Sequence, residues 1–272
     1  MSKIAFKLLL ICILIGNFSL SVSAATINPL DKVSSYNIYY GYVNKTVLQN
    51  MKKYQLMVVE PKGISQSNIM ELKKNNTKLY AYISIAEIPS WDKSVNIPQN
   101  DYLKVYGKIV KNYGNIVGDI RNTSYQNILL SQIKNLMNRG FDGVFFDTLD
   151  DYESLDLVKT NSNVASLERA AVQFVANAKV KYPNLNIIQN RGFNILSLGS
   201  QKYVKGILYE DYDYASNDSN SKRTLNQLKN AKQSYGVNCF VQYAKNSTQN
   251  KSTAIKNHWK YLYRNTNYNI WN

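Results

Sequence analysis

The chain has 272 residues, 44% hydrophobic and 12% aromatic, with 12 glycines and 5 prolines. That composition excludes collagen-like and disordered chains and supplies apolar surface for a full core. Lys and Arg number 33 against 18 acidic residues, a formal charge of +15, yet no nucleic-acid motif with interleaved aromatics accompanies it, so nucleic acid is not an expected partner.

The first segment carries Lys3 and Lys7, an apolar run from Leu8 to Ile15, and small residues with Val22 and Ala24 spaced for cleavage. It reads as a secretory signal peptide, residues 1–24, and a secreted or cell-surface protein is expected. The run is too short to span a bilayer, and no later segment offers about 18 uninterrupted apolar residues, so no transmembrane segment is expected. After cleavage 31 basic and 18 acidic residues remain, mostly as scattered lysines on outer helix faces. Anionic cell-envelope polymers are candidate partners for that excess. Cys239 is then alone, which rules out an intrachain disulfide and predicts a buried, inert thiol.

From residue 37 onward, short apolar and β-branched runs alternate with polar segments of helical spacing. Strands are expected at 37–43, 55–60, 78–85, 143–147, 186–190, 205–210, 239–243 and, more weakly patterned, 268–271. Helices are expected at 45–54, 65–75, 101–113, 124–139, 164–182, 221–235 and 251–264, with a short helical turn at 193–201. The fourth helix puts Leu129, Ile133, Leu136 and Met137 on one stripe, and Gly140 stops it. Eight strands with intervening helices predict an α/β fold, a single (β/α)8 TIM-type barrel over residues 25–272 and a monomer. No Gly-rich dinucleotide fingerprint favours an open sheet instead. Residues 87–125 form a rim insertion, and no internal repeat or second domain is evident.

In such a barrel the chemistry sits at the carboxyl ends of the strands. Tyr40 lies in the first strand; Glu60 ends the second; Ser84 and Glu87 end or follow the third; Asp147, Asp150 and Asp151 the fourth; Asn190 and Arg191 the fifth. Glu210, Asp211 and Asp213 end or follow the sixth, and Gln242 and Tyr243 end the seventh. Taken singly, each acid reads equally as a strand-end cap or a salt bridge to Arg191. Together, acids gathered at one rim of a cationic chain cost energy unless a ligand or a reaction uses them. Asp147 and Glu210 directly end apolar runs on next-but-one strands, whose ends lie about 10 Å apart at roughly 4.8 Å per strand. Two inward acids at that spacing suit glycosidic-bond cleavage, one protonating the leaving oxygen while the other attacks or activates water. Tyr40, Trp91, Tyr152, Tyr209, Tyr212 and Tyr243 are candidates to stack on sugar faces, or are simply core.

Neither a metal nor a cofactor is expected. His258 and Cys239 are isolated, the acids from Asp147 to Asp151 lack EF-hand spacing, and no G-x-S-x-G elbow is present.

Several motifs occur in a known order: Tyr82-Ile83-Ser84-Ile85-Ala86-Glu87, Asp119-Ile120-Arg121, GFDGVFFDTLDDY from Gly140 to Tyr152, Asn190-Arg191-Gly192 and Leu208-Tyr209-Glu210. The series resembles the endo-α-1,4-polygalactosaminidases of glycoside hydrolase family 114 and the related hydrolase domain of Pel polysaccharide proteins. Ala86 departs from it, standing where that family is expected to have glycine. The resemblance implies hydrolysis within a partly deacetylated, α-1,4-linked galactosamine polymer. It implies Glu210 as nucleophile and Asp147 as general acid/base in a retaining mechanism, with these roles exchangeable. Asp150, Asp151, Glu87, Arg191 and Asp213 are then candidates to orient the acids or bind sugar. The same residues would also serve a barrel that binds matrix sugar without cleaving it, or a glycosidase acting on another cell-envelope glycan.

Overall fold

The structure, a computed structural model, describes residues 28–90, 95–214 and 218–271; the expected signal peptide lies outside these residues. Eight parallel strands follow one another around the sheet: β1 (Tyr36–Tyr39), β2 (Leu56–Val59), β3 (Lys78–Ser84), β4 (Gly143–Asp147), β5 (Ile187–Asn190), β6 (Gly206–Tyr209), β7 (Asn238–Tyr243) and β8 (Lys260–Tyr263). Helices Lys45–Met51, Gln66–Lys74, Thr123–Asn138, Asn161–Lys181, Phe193–Leu198, Ser219–Tyr235 and Ser247–Lys256 connect them, giving the expected (β/α)8 barrel. Strand alternation sorts the side chains into two layers. Ile38, Val58, Tyr80, Phe145, Ile188, Leu208 and Phe240 fill the barrel, whereas Val59, Ala81, Val144, Phe146, Ile187 and Val241 pack beneath the helices. Cys239 is a free, buried thiol in that outer layer.

Gly143 opens β4 because nothing larger fits. A Cβ there would meet the backbone oxygen of Asn186 and the Tyr80 ring, each at 2.4 Å. Gly143→Ala is expected to destabilise the barrel by about 1–3 kcal/mol through overpacking, read as a melting temperature several degrees lower.

Two expected elements differ. The eighth strand is not 268–271 but Lys260–Tyr263, inside the segment expected to be helical to 264. The helix ends at Lys256, and Tyr261, Leu262 and Tyr263 alternate exposed, buried, exposed, a strand period that the helical stripe before it obscured. Among the described residues no ladder joins β8 to β1. The tail lies at this seam instead: the Tyr40 N–H donates to the Tyr268 carbonyl at 2.8 Å, and Trp271 packs on Tyr39 and Tyr54. Buried Arg264 holds the tail in place, donating to the carbonyls of Asn267 and Ile270 and to Asn37 Oδ1 of β1.

The expected helix 101–113 is absent as well. Lys104-Val105-Tyr106-Gly107-Lys108-Ile109-Val110 and Lys111-Asn112-Tyr113-Gly114-Asn115-Ile116-Val117 form a tandem repeat that the expectation of no repeat missed. Each copy is a two-residue hairpin, pairing Lys104–Val105 with Lys108–Ile109 and Lys111–Asn112 with Asn115–Val117. The turns sit at Tyr106-Gly107 (φ 51° and 75°) and Tyr113-Gly114 (φ 46° and 84°), the left-handed pair of a type I′ turn.

Candidate active site

Three neighbouring strands deliver three inward side chains. Asp147 ends β4, Asn190 ends β5, and Glu210 follows β6. The Asn190 side-chain nitrogen, Nδ2, donates to Asp147 Oδ1 at 2.7 Å and to Glu210 Oε2 at 2.9 Å, so one amide joins both carboxyls. The residue after each of the three is left-handed without being glycine: Thr148 (φ 65°), Arg191 (φ 49°) and Asp211 (φ 55°). Such backbone is uncommon and is kept where its surroundings enforce it. Here Thr148 Oγ1 accepts from the Ala86 N–H at 2.9 Å, Arg191 N–H donates to the Leu208 carbonyl at 2.9 Å, and Asp211 N–H donates to Gln242 Oε1 at 3.1 Å.

A row of tyrosines lies beside the pair. Tyr40 stands between Tyr82 and Tyr268, with ring centroids 4.7 and 5.2 Å away. The Tyr82 hydroxyl bonds Asp147, and the Tyr268 hydroxyl donates to Glu210 Oε1. Burial first, and the adjacent carboxylates second, hold all three phenols well above their usual pKa, so they remain donors. Burial also lifts both carboxyls. For Asp147 the bonds from Asn190 and Tyr82 oppose this lift while Asp150 adds to it. For Glu210 the bonds from Tyr268 and Asn190 oppose it while Asp147 and Asp211 add to it. Two acids so coupled retain a proton at higher pH than either would alone in water.

Farther along the rim, Asn112 of the second hairpin donates to Glu87 Oε1 at 3.1 Å and Asp151 Oδ1 at 3.0 Å, and Asn115 donates to Glu87 Oε2 at 2.6 Å. Burial, then the charges of Glu87 and Asp150, push Asp151 from 3.8 to about 8. Between those values the folded protein holds a proton that the unfolded chain has lost, so its stability falls as pH rises from about 4 to 8. Asp151→Asn is expected to remove that slope, raising the melting temperature at pH 8 and leaving it unchanged at pH 4.

The other expected site residues distribute unevenly. Ser84 Oγ donates to the Glu87 carbonyl at 2.7 Å, and Asp150 pairs with Arg191 at 3.0 Å. Glu60 lines a hollow of about 400 Å³ with Tyr82, Ser84 and Glu87. Asp211 and Gln242 line a second, of about 530 Å³, with Tyr40, Glu210 and the tail residues 264–269. One expectation is corrected. Tyr243 packs in the outer layer against Tyr263, because odd-numbered residues of β7 face the helices. Asp213 accepts from Asn246 at 3.0 Å. Tyr152 and Tyr212 are core residues, not stacking surfaces, and Trp91 lies outside the described residues. The sequence reading missed Tyr82, Tyr268, Asn112 and Asn115. Tyr82 was legible, since it shares the inward period of Tyr80 and Ser84. Among the described residues no group of His, Cys, Asp and Glu is disposed to hold a metal ion, and no helix is long and apolar enough to cross a membrane.

The profile of glycoside-hydrolase family GH114 matches residues 19–260. The chain belongs to this family. It is therefore a glycosidase. Among solved structures, the glycoside hydrolase domain of PelA from Pseudomonas aeruginosa is similar with a TM-score of 0.71 at 17% identity, over 88% of this chain and 97% of that one. Aspergillus fumigatus Ega3, solved in complex with galactosamine, gives 0.67 at 18% identity, over 88% and 94%. The α-galactosidase TtGalA from Thermus thermophilus shares the fold more distantly, at 0.56 and 8% identity, over 85% and 58%. No curated protein matched this family member by sequence.

Proposed function

We propose that this family 114 protein is a secreted, endo-acting hydrolase of α-1,4-linked, galactosamine-rich polysaccharide that works by retention through Asp147 and Glu210. The shared amide of Asn190 carries the reading. Oxygens bonded to one nitrogen at 2.7 and 2.9 Å lie at most about 5.6 Å apart, which favours the carboxyl spacing of about 5–5.5 Å in retaining enzymes over the roughly 6.5–9.5 Å of inverting ones.

In the first step the Glu210 carboxylate bonds to the anomeric carbon as the glycosidic C–O bond breaks and Asp147 gives its proton to the departing oxygen. In the second, Asp147 takes a proton from water, whose oxygen displaces Glu210. Tyr268 and Asn190 both donate to Glu210, favouring its ionised form. Asp147 accepts from Asn190 and Tyr82 in the same way and is raised like Glu210 by burial and a neighbouring acid, so the choice of Asp147 as proton donor rests on the family resemblance and the roles are exchangeable. The galactosamine in the Ega3 structure and the acids Glu87, Asp150, Asp151 and Asp211 around the pair favour an aminosugar. These local carboxylates must overcome the repulsion that a net positive chain exerts on a cationic polymer. One hollow lined by Tyr82 and Glu87 and another lined by Tyr40 and Glu210 favour a polymer bound along the rim, hence cleavage within it. Removal of residues 1–24 on export, a monomeric state, and retention on anionic envelope polymers through the surface lysines belong to the same reading.

The deciding experiment is mass spectrometry of products from several polysaccharides, with the anomeric form of fresh products followed by NMR. A ladder of α-configured galactosamine oligosaccharides is expected. Products only from another glycan, or β-configured ends, would overturn the substrate or the stereochemistry respectively.

A further inference from the structure

Hairpin tips of the type I′ class favour Asn-Gly or Asp-Gly, because both central residues are left-handed and a short polar side chain tolerates this. Here the first central residue is tyrosine, a bulky residue for which positive φ is a true outlier. Tyr113 sits at φ 46° and is 94% exposed, so no packing contact offsets the conformation. Both an easier turn and a more soluble surface are forgone at this position.

Tyr106 at the first tip shares this conformation and exposure (φ 51°, 80% exposed); placement sets Tyr113 apart. Asn112 and Asn115, the residues flanking the Tyr113-Gly114 turn, are those that bond Glu87 and Asp151, and Asp151 lies four residues beyond Asp147. The hairpin is thereby fixed to the acidic rim with its aromatic ring held out into solvent. Tyrosine loses little conformational entropy on binding and offers a flat apolar face with a polar edge, a match for the C–H face of a pyranose.

We propose that Tyr113 is a glycan-binding platform, a subsite away from the bond-breaking pair on which one saccharide of the polymer stacks. This deepens the polysaccharide reading above and rests on it for the identity of the ligand. Strain and exposure at the tip are then the cost of presenting the ring, as stability is commonly traded at functional positions.

The test replaces the tip with its cheaper alternative, Tyr113→Asn, alongside Tyr113→Phe. Both are measured for retention on partly de-N-acetylated α-1,4-galactosamine polymer, in a background with Asp147→Asn and Glu210→Gln so that no cleavage occurs. The expected result pairs opposite signs: Tyr113→Asn melts at a higher temperature yet binds the polymer about tenfold more weakly, while Tyr113→Phe keeps its affinity. A tip of merely structural importance would lower stability and leave retention alone. Unchanged retention in Tyr113→Asn overturns the platform, as does a parent protein that does not retain the polymer. A parent that retains the polymer but, with its acids intact, does not cleave it overturns the galactosaminidase reading and leaves the platform to be judged by its own binding data.

Discussion

Replacing Glu210 with glutamine, or Asp147 with asparagine, is expected to reduce product formation from galactosamine polymer by roughly 10²–10⁴-fold or more, with the fold intact. Each change keeps the side-chain volume and removes the ionisable group. The two are separable by what restores them. A substrate with a good leaving group needs no proton in the first step, so it speeds bond breaking in Asp147→Asn and does little for Glu210→Gln. Azide acts likewise: with Asp147→Ala it intercepts the glycosyl intermediate and gives a product of retained configuration, whereas with Glu210→Ala it attacks the substrate directly and gives the inverted one. The opposite assignment of products would exchange the two roles. Melting temperatures should move against activity. Burial raises both acids, and each also raises the other or its neighbour, so neutralising one relieves the folded state while it stops turnover.

Asn190→Ala is expected to be nearly as damaging, about 10²-fold in kcat, although Asn190 transfers no proton. Its amide bonds both carboxyls, and misplacing reacting groups by about 1 Å costs that much. The pH profile identifies the cause. Bonds from Asn190 lower the pKa of both Asp147 and Glu210, so their loss raises both values. Glu210 then becomes protonated at higher pH, and the acidic limb of kcat/KM moves upward. Loss of activity without that movement would mean that Asn190 acts only through packing.

The legible part of this protein followed from short-range signals. Val144-Phe145-Phe146-Asp147 and Ile207-Leu208-Tyr209-Glu210 combine an apolar run with an abrupt acid, and the right-handed βα succession fixes where such an acid must emerge. Seven of the eight strands and the convergence of Asp147 and Glu210 at one rim were accessible on those terms. Less accessible were features that depend on partners distant in sequence. Tyr268 is a weak apolar residue in an unpatterned tail until Arg264 anchors that tail and Tyr40 bonds it. Asn112 and Asn115 sit in a segment whose Lys and Val spacing imitates a helix. Only the twice-repeated Tyr-Gly pair betrays the turns, and tyrosine is the residue that turn rules least anticipate. Tyr243 failed for a simpler reason, an error of one in strand parity that sends a side chain to the opposite face.

The seam between β8 and β1 has a kinetic consequence. Everywhere else the barrel wall is a ladder; here it rests on a few tail contacts around Arg264, Tyr268 and Trp271. Amides bordering it should exchange with solvent deuterium before those of β4 or β5, since local opening there disrupts the least structure. Because the same tail carries the phenol that donates to Glu210, partial unzipping on heating would silence the enzyme while most of the barrel still gives a native spectrum.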